Sequence, residues 1–237
     1  MRGPVKTLLF DFGGTLDADG VAWKDRFYAY YRAEGLDMTA EAFAPVFYAA
    51  DDPLIGMLPV AADLSDTAQR LAANLEDQLA RRSGGAQSDA RRGRRVAAHF
   101  LKDASAALTR NRALLEALAQ RYRLGVVANF YGNLEAVCRG AGLASLFSAI
   151  IDSTRVGTEK PGEAIFRAAL EPLQAAPDKT LLIGDSLRRD REGARRMQMG
   201  FIWIAPAEAQ AAECRAAGVQ PDHPTIERLG ALAEMLL

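Results

Sequence analysis

Five short apolar runs, at residues 5–10, 124–128, 148–152, 180–184 and 201–204, constrain this chain more than any other feature. Each is followed by a polar turn. They read as nearly continuous apolar stretches, the pattern of strands buried on both faces. From the second run onward they are separated by helical segments: 134–140, 161–170 (with Pro161 in its first turn) and 190–197. Strands that alternate with helices belong to a parallel sheet covered on both sides. The expected fold is therefore α/β, a doubly wound, mostly parallel Rossmann-like sheet.

The interval between the first two runs is different. Trp23, Phe27, Tyr30 and Tyr31 recur with helical period, as do Leu64, Ala68, Leu71, Leu75 and Leu79, and then Val96, Phe100, Ala104 and Leu108. Pro53, Gly56 and Pro59 interrupt this stretch, and the polar, Arg-rich residues 83–93 read as an exposed loop. The chain thus divides into an α/β core, residues 1–16 and 106–237, and an inserted α-helical domain, residues 17–105. Motion between them is expected near 16–20 and 103–109. Ile226, Leu229, Ala233 and Leu236 suggest a closing amphipathic helix. Eight of the eighteen aromatic residues lie between Trp23 and Tyr48, which fits packing inside the insert or an apolar pocket beneath it.

Composition removes several classes. No apolar run approaches the ~20 residues of a membrane helix, and the first residues lack the apolar core of a secretory signal. Two cysteines, Cys138 and Cys214, make no disulfide framework, so a cytoplasmic location is expected. The net charge of −1 leaves no basic excess for nucleic acid, even with six arginines clustered between Arg81 and Arg95. Oligomeric state is not legible.

In open parallel sheets, ligands bind beyond the carboxyl ends of the strands. Asp11 follows the first run, Asn129 the second, Lys160 lies beyond the third, and Asp185 follows the fourth, with Asp190 five residues on. Neighbouring carboxylates repel unless a cation or a proton joins them. Mg²⁺ takes carboxylate and phosphate oxygens, lysine suits a phosphate or an anionic partner, and aspartate is a known nucleophile in phosphoryl transfer.

These residues stand in four ordered motifs: Asp11-Phe12-Gly13-Gly14-Thr15; Val126-Val127-Ala128-Asn129; Lys160-Pro161; and Gly184-Asp185-Ser186 through Asp190 to Gly193-Ala194. Over about residues 5–204 the chain resembles the haloacid dehalogenase (HAD) superfamily of hydrolases, with a helical cap between the first two motifs. The resemblance implies that Asp11 is the nucleophile and a Mg²⁺ ligand, that the Gly13 carbonyl and Asp185 complete the metal site with Asp190 as an outer acidic partner, and that Lys160 steadies the nucleophile and the transferring group. The Asn129 amide is a candidate substrate contact. A small phosphorylated molecule is the implied substrate.

Two positions depart from the family pattern. Gly13 stands where phosphatases of the family carry a second aspartate, the general acid and base. Ala128 stands where they carry a hydroxyl. Loss of the acid is expected to cost roughly 10²–10⁴-fold in rate, and loss of the donor another ~10²-fold. Three readings accommodate this: a phosphatase for easy leaving groups, with Asp17 or Asp19 as a substitute proton source; a haloacid-type dehalogenase, whose departing halide needs no acid; or an impaired member that binds or regulates. The intact Gly184-Asp185-Ser186 favours the first. On that reading, Gly13→Asp is expected to raise rates most on poor leaving groups.

Overall fold

In a computed structural model, residues 4–83, 88–217 and 223–237 are described. Six strands, β1 (Thr7–Phe10), β2 (Arg123–Ala128), β3 (Ala149–Asp152), β4 (Thr180–Gly184), β5 (Gly200–Ile204) and β6 (Thr225–Ile226), form one parallel sheet in the order β3-β2-β1-β4-β5-β6. The chain leaves β1 towards one edge and returns to β4 on its other side. The switch point between β1 and β4 is where such sheets open a crevice. Phe10 is in register with both Val126 and Ile183.

Side chains alternate across the pleat. Leu8, Phe10, Val126, Ile183 and Ile202 face one apolar core, while Leu9, Val127, Leu182, Phe201 and Trp203 face another. The second core is closed by the helices Glu163–Leu170 and Glu192–Arg196, through Ile165, Phe166 and Ala194.

The insert folds as α1 (Trp23–Ala33), α2 (Ala40–Asp51), α3 (Leu64–Arg82) and α4 (Ala90–Ala119). The starts of α2, α3 and α4 are capped locally: Thr39 accepts from Ala42 N, Asp63 and Asp66 form a reciprocal capping box, and Asp89 accepts from the amides of Arg91 and Arg92.

Four expectations need correction. Ile226 lies in a sixth strand, not a helix: Ala205 N bonds to Ile226 O, and only Leu232–Leu236 continues as α-helix. The helix expected from Pro161 begins at Glu163, because Gly162 is extended at φ −62°, ψ 141°; the Lys160–Pro161 peptide is cis. No break occurs near residue 105. Helix α4 runs through it, since Val96, Phe100, Ala104, Leu108, Asn111, Leu115 and Leu118 keep one buried face along its length and no Gly or Pro stands between 94 and 119. Finally, the arginine-rich segment is not all loop. Part of it, residues 84–87, lies outside the described residues, but Arg92 makes a two-pronged ion pair with the buried Glu76, both contacts 2.9 Å, and Arg95 pairs with Glu34. These arginines fasten α4 to α3 and α1.

Candidate active site

Asp11 leaves β1 with its amide bonded to Ile183 O (2.9 Å), which holds it beside the end of β4. The chain then turns tightly through Phe12–Leu16. Gly14 sits at φ +92°, and a Cβ there would lie 2.5 Å from Asp185 Oδ2. Only glycine tolerates both the left-handed backbone and that approach. Gly184 answers from β4: a Cβ there would meet Asp190 Cγ at 2.4 Å.

These close approaches gather the acidic groups. Asp11, Asp185 and Asp190 each offer one oxygen within 4.8 Å of the others. Lys160 Nζ donates to Asp11 Oδ1 (2.5 Å) and Asp190 Oδ1 (2.6 Å), and all three of these side chains are buried. Ser186 N donates to Asp190 Oδ2 at 3.1 Å. Asn129 lines the same cavity, yet both ends of its amide engage the Lys160 main chain: Oδ1 accepts from Lys160 N (2.8 Å) and Nδ2 donates to Lys160 O (3.3 Å). Its visible work is to position the lysine.

Charge at this edge is unbalanced. Burial opposes the ammonium of Lys160, but Asp11 and Asp190 outweigh it and raise the lysine's pKa. Burial, then Asp11 and Asp190, push Asp185 far above the carboxylate range. Burial likewise works against the charge of Arg189, and Asp11, Asp190 and Asp185 overcome it. Fully ionised, the three acids would outnumber the two cations, Lys160 and Arg189, and the raised Asp185 pKa registers that surplus; the donors are all oxygen. That set fits a hard divalent cation and not a soft one.

The cavity above them, about 130 Å³, is walled by the turn after β1, by the insert and by the loop after β2. Gly13 is part of its lining, and the Trp23 indole lies against it: a Cβ at position 13 would be 3.1 Å from Trp23 Nε1. The indole is fixed, because Nε1 donates to Asp17 Oδ2 at 2.7 Å and the ring meets Phe100 and Phe130 edge-on. Asp17 is fully buried and also accepts from Gly14 N and Arg26 Nη1. Asp19 is engaged by Arg110 and by Leu229 N. Neither lines the cavity, so the substitute acid expected there is corrected: both carboxylates brace the turn.

Trp23, Phe47 and Tyr48, from the aromatic cluster that suggested a pocket beneath the insert, do line this cavity, whereas Asp51, Tyr131 and Arg189 are members that the sequence did not single out. Arg189 had a local signal, its place in the turn between Ser186 and Asp190. The others had none, since they arrive from elements distant in the chain.

A protein-family model described as haloacid dehalogenase-like hydrolase matches residues 5–198. Haloacid dehalogenase-like hydrolase domain-containing protein 3 of Bos taurus is 38% identical over 86 residues, 36% of this chain and 34% of that protein. Phosphoserine phosphatase of Thermus thermophilus is 33% identical over 101 residues, 41% of this chain and 36% of that protein. The chain thus aligns with about a third of the length of these relatives. The structure of L-2-haloacid dehalogenase from Xanthobacter autotrophicus superposes with a TM-score of 0.59 at 17% identity, covering 98% of both chains, a likeness of fold alone. No helix among the described residues is long and apolar enough to cross a membrane. The family match over residues 5–198, which hold β1 to β4 and all four motifs, places this chain among the haloacid dehalogenase-like hydrolases.

Proposed function

We propose that the protein is a Mg²⁺-dependent phosphatase of a small phosphorylated molecule, working through an aspartyl-phosphate on Asp11. One observation carries the reading: Asp11 is held by Lys160 at 2.5 Å while Asp185 and Asp190 leave the same edge short of positive charge. A halide-releasing site needs no such surplus of carboxylate. The relative named phosphoserine phosphatase supports the same choice.

In this reading Asp11, the Gly13 carbonyl and Asp185 hold the metal, with Asp190 behind them. Bound there, Mg²⁺ supplies charge neutralisation for the phosphoryl oxygens. Asp11 attacks phosphorus with the oxygen that Lys160 leaves free. Lys160 keeps that carboxylate oriented and offsets charge on the transferring group. Asn129 fixes Lys160 through its main chain, and Arg189 adds a cation at the rim. The helices α1 and α2 cover the cavity and, as a cap, exclude water and choose the leaving group.

The test is hydrolysis of p-nitrophenyl phosphate. Turnover that requires Mg²⁺, stops in EDTA and is lost in Asp11→Asn supports the proposal. Metal-independent halide release from 2-haloacids, or full activity in Asp11→Asn, overturns it.

A further inference from the structure

Removing the acid at position 13 leaves a chemical gap. When a phosphomonoester with an alcohol leaving group is cleaved, the departing oxygen must gain a proton, and Gly13 has none to give. Asp17 and Asp19 are occupied elsewhere. Beyond Asp11, Asp185 and Asp190, which cluster with Lys160, one other carboxyl lines the cavity among the described residues: Asp51, the last residue of α2.

Its surroundings suit an acid. The Tyr131 hydroxyl, from the loop after β2, donates to Asp51 Oδ1. That bond orients the carboxyl and leaves Oδ2 to carry a proton. Trp23, Phe47 and Phe130 supply apolar walls. We propose that Asp51 is the general acid and base of this enzyme, delivered by the insert in place of the motif-one aspartate. The inference rests on the phosphatase reading.

Burial raises the Asp51 pKa most, the Tyr131 hydrogen bond lowers it, neighbouring Asp52 raises it and Arg189 lowers it, for a value of about 6. Lys24 and Tyr48 line the same space. Tyr131 itself is kept protonated, by burial and then by Asp51, with Asp17 and Asp52 adding to the effect. It therefore remains a donor throughout the working range. A carboxyl in an apolar wall with a raised pKa is the known form of a general acid.

The step balances. An Asp11 oxygen bonds to phosphorus, and the phosphorus–oxygen bond to the leaving group breaks with its electron pair on that oxygen. The proton on Asp51 Oδ2 passes to it, releasing the alcohol and leaving an Asp51 carboxylate. Water then attacks phosphorus, gives its proton to Asp51, and the bond to Asp11 breaks with its pair returning to the Asp11 carboxylate. Inorganic phosphate departs and Asp51 is again protonated.

The experiment compares kcat/KM for p-nitrophenyl phosphate and for an alkyl ester, β-glycerophosphate, with Mg²⁺ across pH. In Asp51→Asn the alkyl-to-aryl ratio is expected to fall by about 10²–10⁴-fold, because only the alkoxide needs a proton. The wild-type alkyl rate is expected to decline above pH about 6. Tyr131→Phe, which removes the bond that lowers the Asp51 pKa, is expected to move that decline to higher pH. An unchanged ratio in Asp51→Asn, in a protein that still needs Asp11, overturns the Asp51 role alone. If Asp51→Asn does not fold, Tyr131→Phe decides: an unmoved decline overturns the proposal. A wild type without Asp11-dependent turnover of either ester overturns the phosphatase reading, and the acid role falls with it.

Discussion

The Trp23 indole stands against Gly13 where a side chain would have to grow: Nε1 lies 3.1 Å from the Cβ that residue 13 lacks. The same nitrogen is bonded to Asp17 at 2.7 Å. The glycine, the tryptophan and the buried Asp17–Arg26 ion pair (2.8 Å) therefore form one unit, and the missing acid is a feature of the packing as well as of the sequence.

This arrangement reverses the expectation for Gly13→Asp. The new side chain meets an indole that is pinned by a hydrogen bond and by Phe100 and Phe130. We expect overpacking to cost about 1–3 kcal/mol, read from urea denaturation, with no gain on alkyl phosphates. A stable variant that hydrolyses them faster would show that Trp23 yields.

Asp185→Asn removes the carboxyl whose pKa burial, Asp11 and Asp190 push far above the ordinary range. Freed of the cost of burying that group charged or of protonating it, the metal-free protein is expected to gain about 0.5–2 kcal/mol. In the wild type, Mg²⁺ at a hundredfold excess over its Kd is expected to add about 2.7 kcal/mol, and EDTA to remove it. Thermal melts with and without Mg²⁺ check both. A metal-induced rise in Tm that survives in Asp185→Asn would count against the ligand set.

Gly184→Ala drives a Cβ into Asp190, 2.4 Å from its Cγ. Asp190 must move, and Lys160 then loses its 2.6 Å partner. The expected outcome is a stability loss of about 1–3 kcal/mol together with loss of turnover. Denaturation and a rate assay on the same preparation measure the two.

Asp51 also marks stability against pH. Its pKa of about 6 in the fold exceeds the ordinary value of 3.8, so the folded state binds more protons between these limits. Stability from this group is full below pH 3.8 and is lost as pH rises through 6. At 1.36 kcal/mol per unit, the loss reaches at most about 3 kcal/mol. Asp51→Asn, which does not titrate, is expected to match the wild type near pH 3.8 and to exceed it increasingly up to pH 6, with no further change above. Urea midpoints across that range provide the measurement, and parallel curves for the two proteins would contradict it.

What the sequence determined by itself is the sheet and the acidic edge. Asp11, Lys160, Asp185 and Asp190 each follow a short apolar run, and parallel strands deliver such residues to one side wherever the runs pair. Local composition suffices for that conclusion. Tertiary structure alone decided the rest. Asp51 and Asp52 are identical neighbours in the sequence, yet only Asp51 reaches the cavity and Tyr131, because the end of α2 packs against a loop eighty residues away. Thr225 and Ile226 become a strand because β5 offers an open edge. Trp23 looks like any core aromatic until the turn at Gly13 is placed against it. These are long-range contacts, settled by which surfaces meet when the chain collapses, and a one-dimensional pattern carries no record of them.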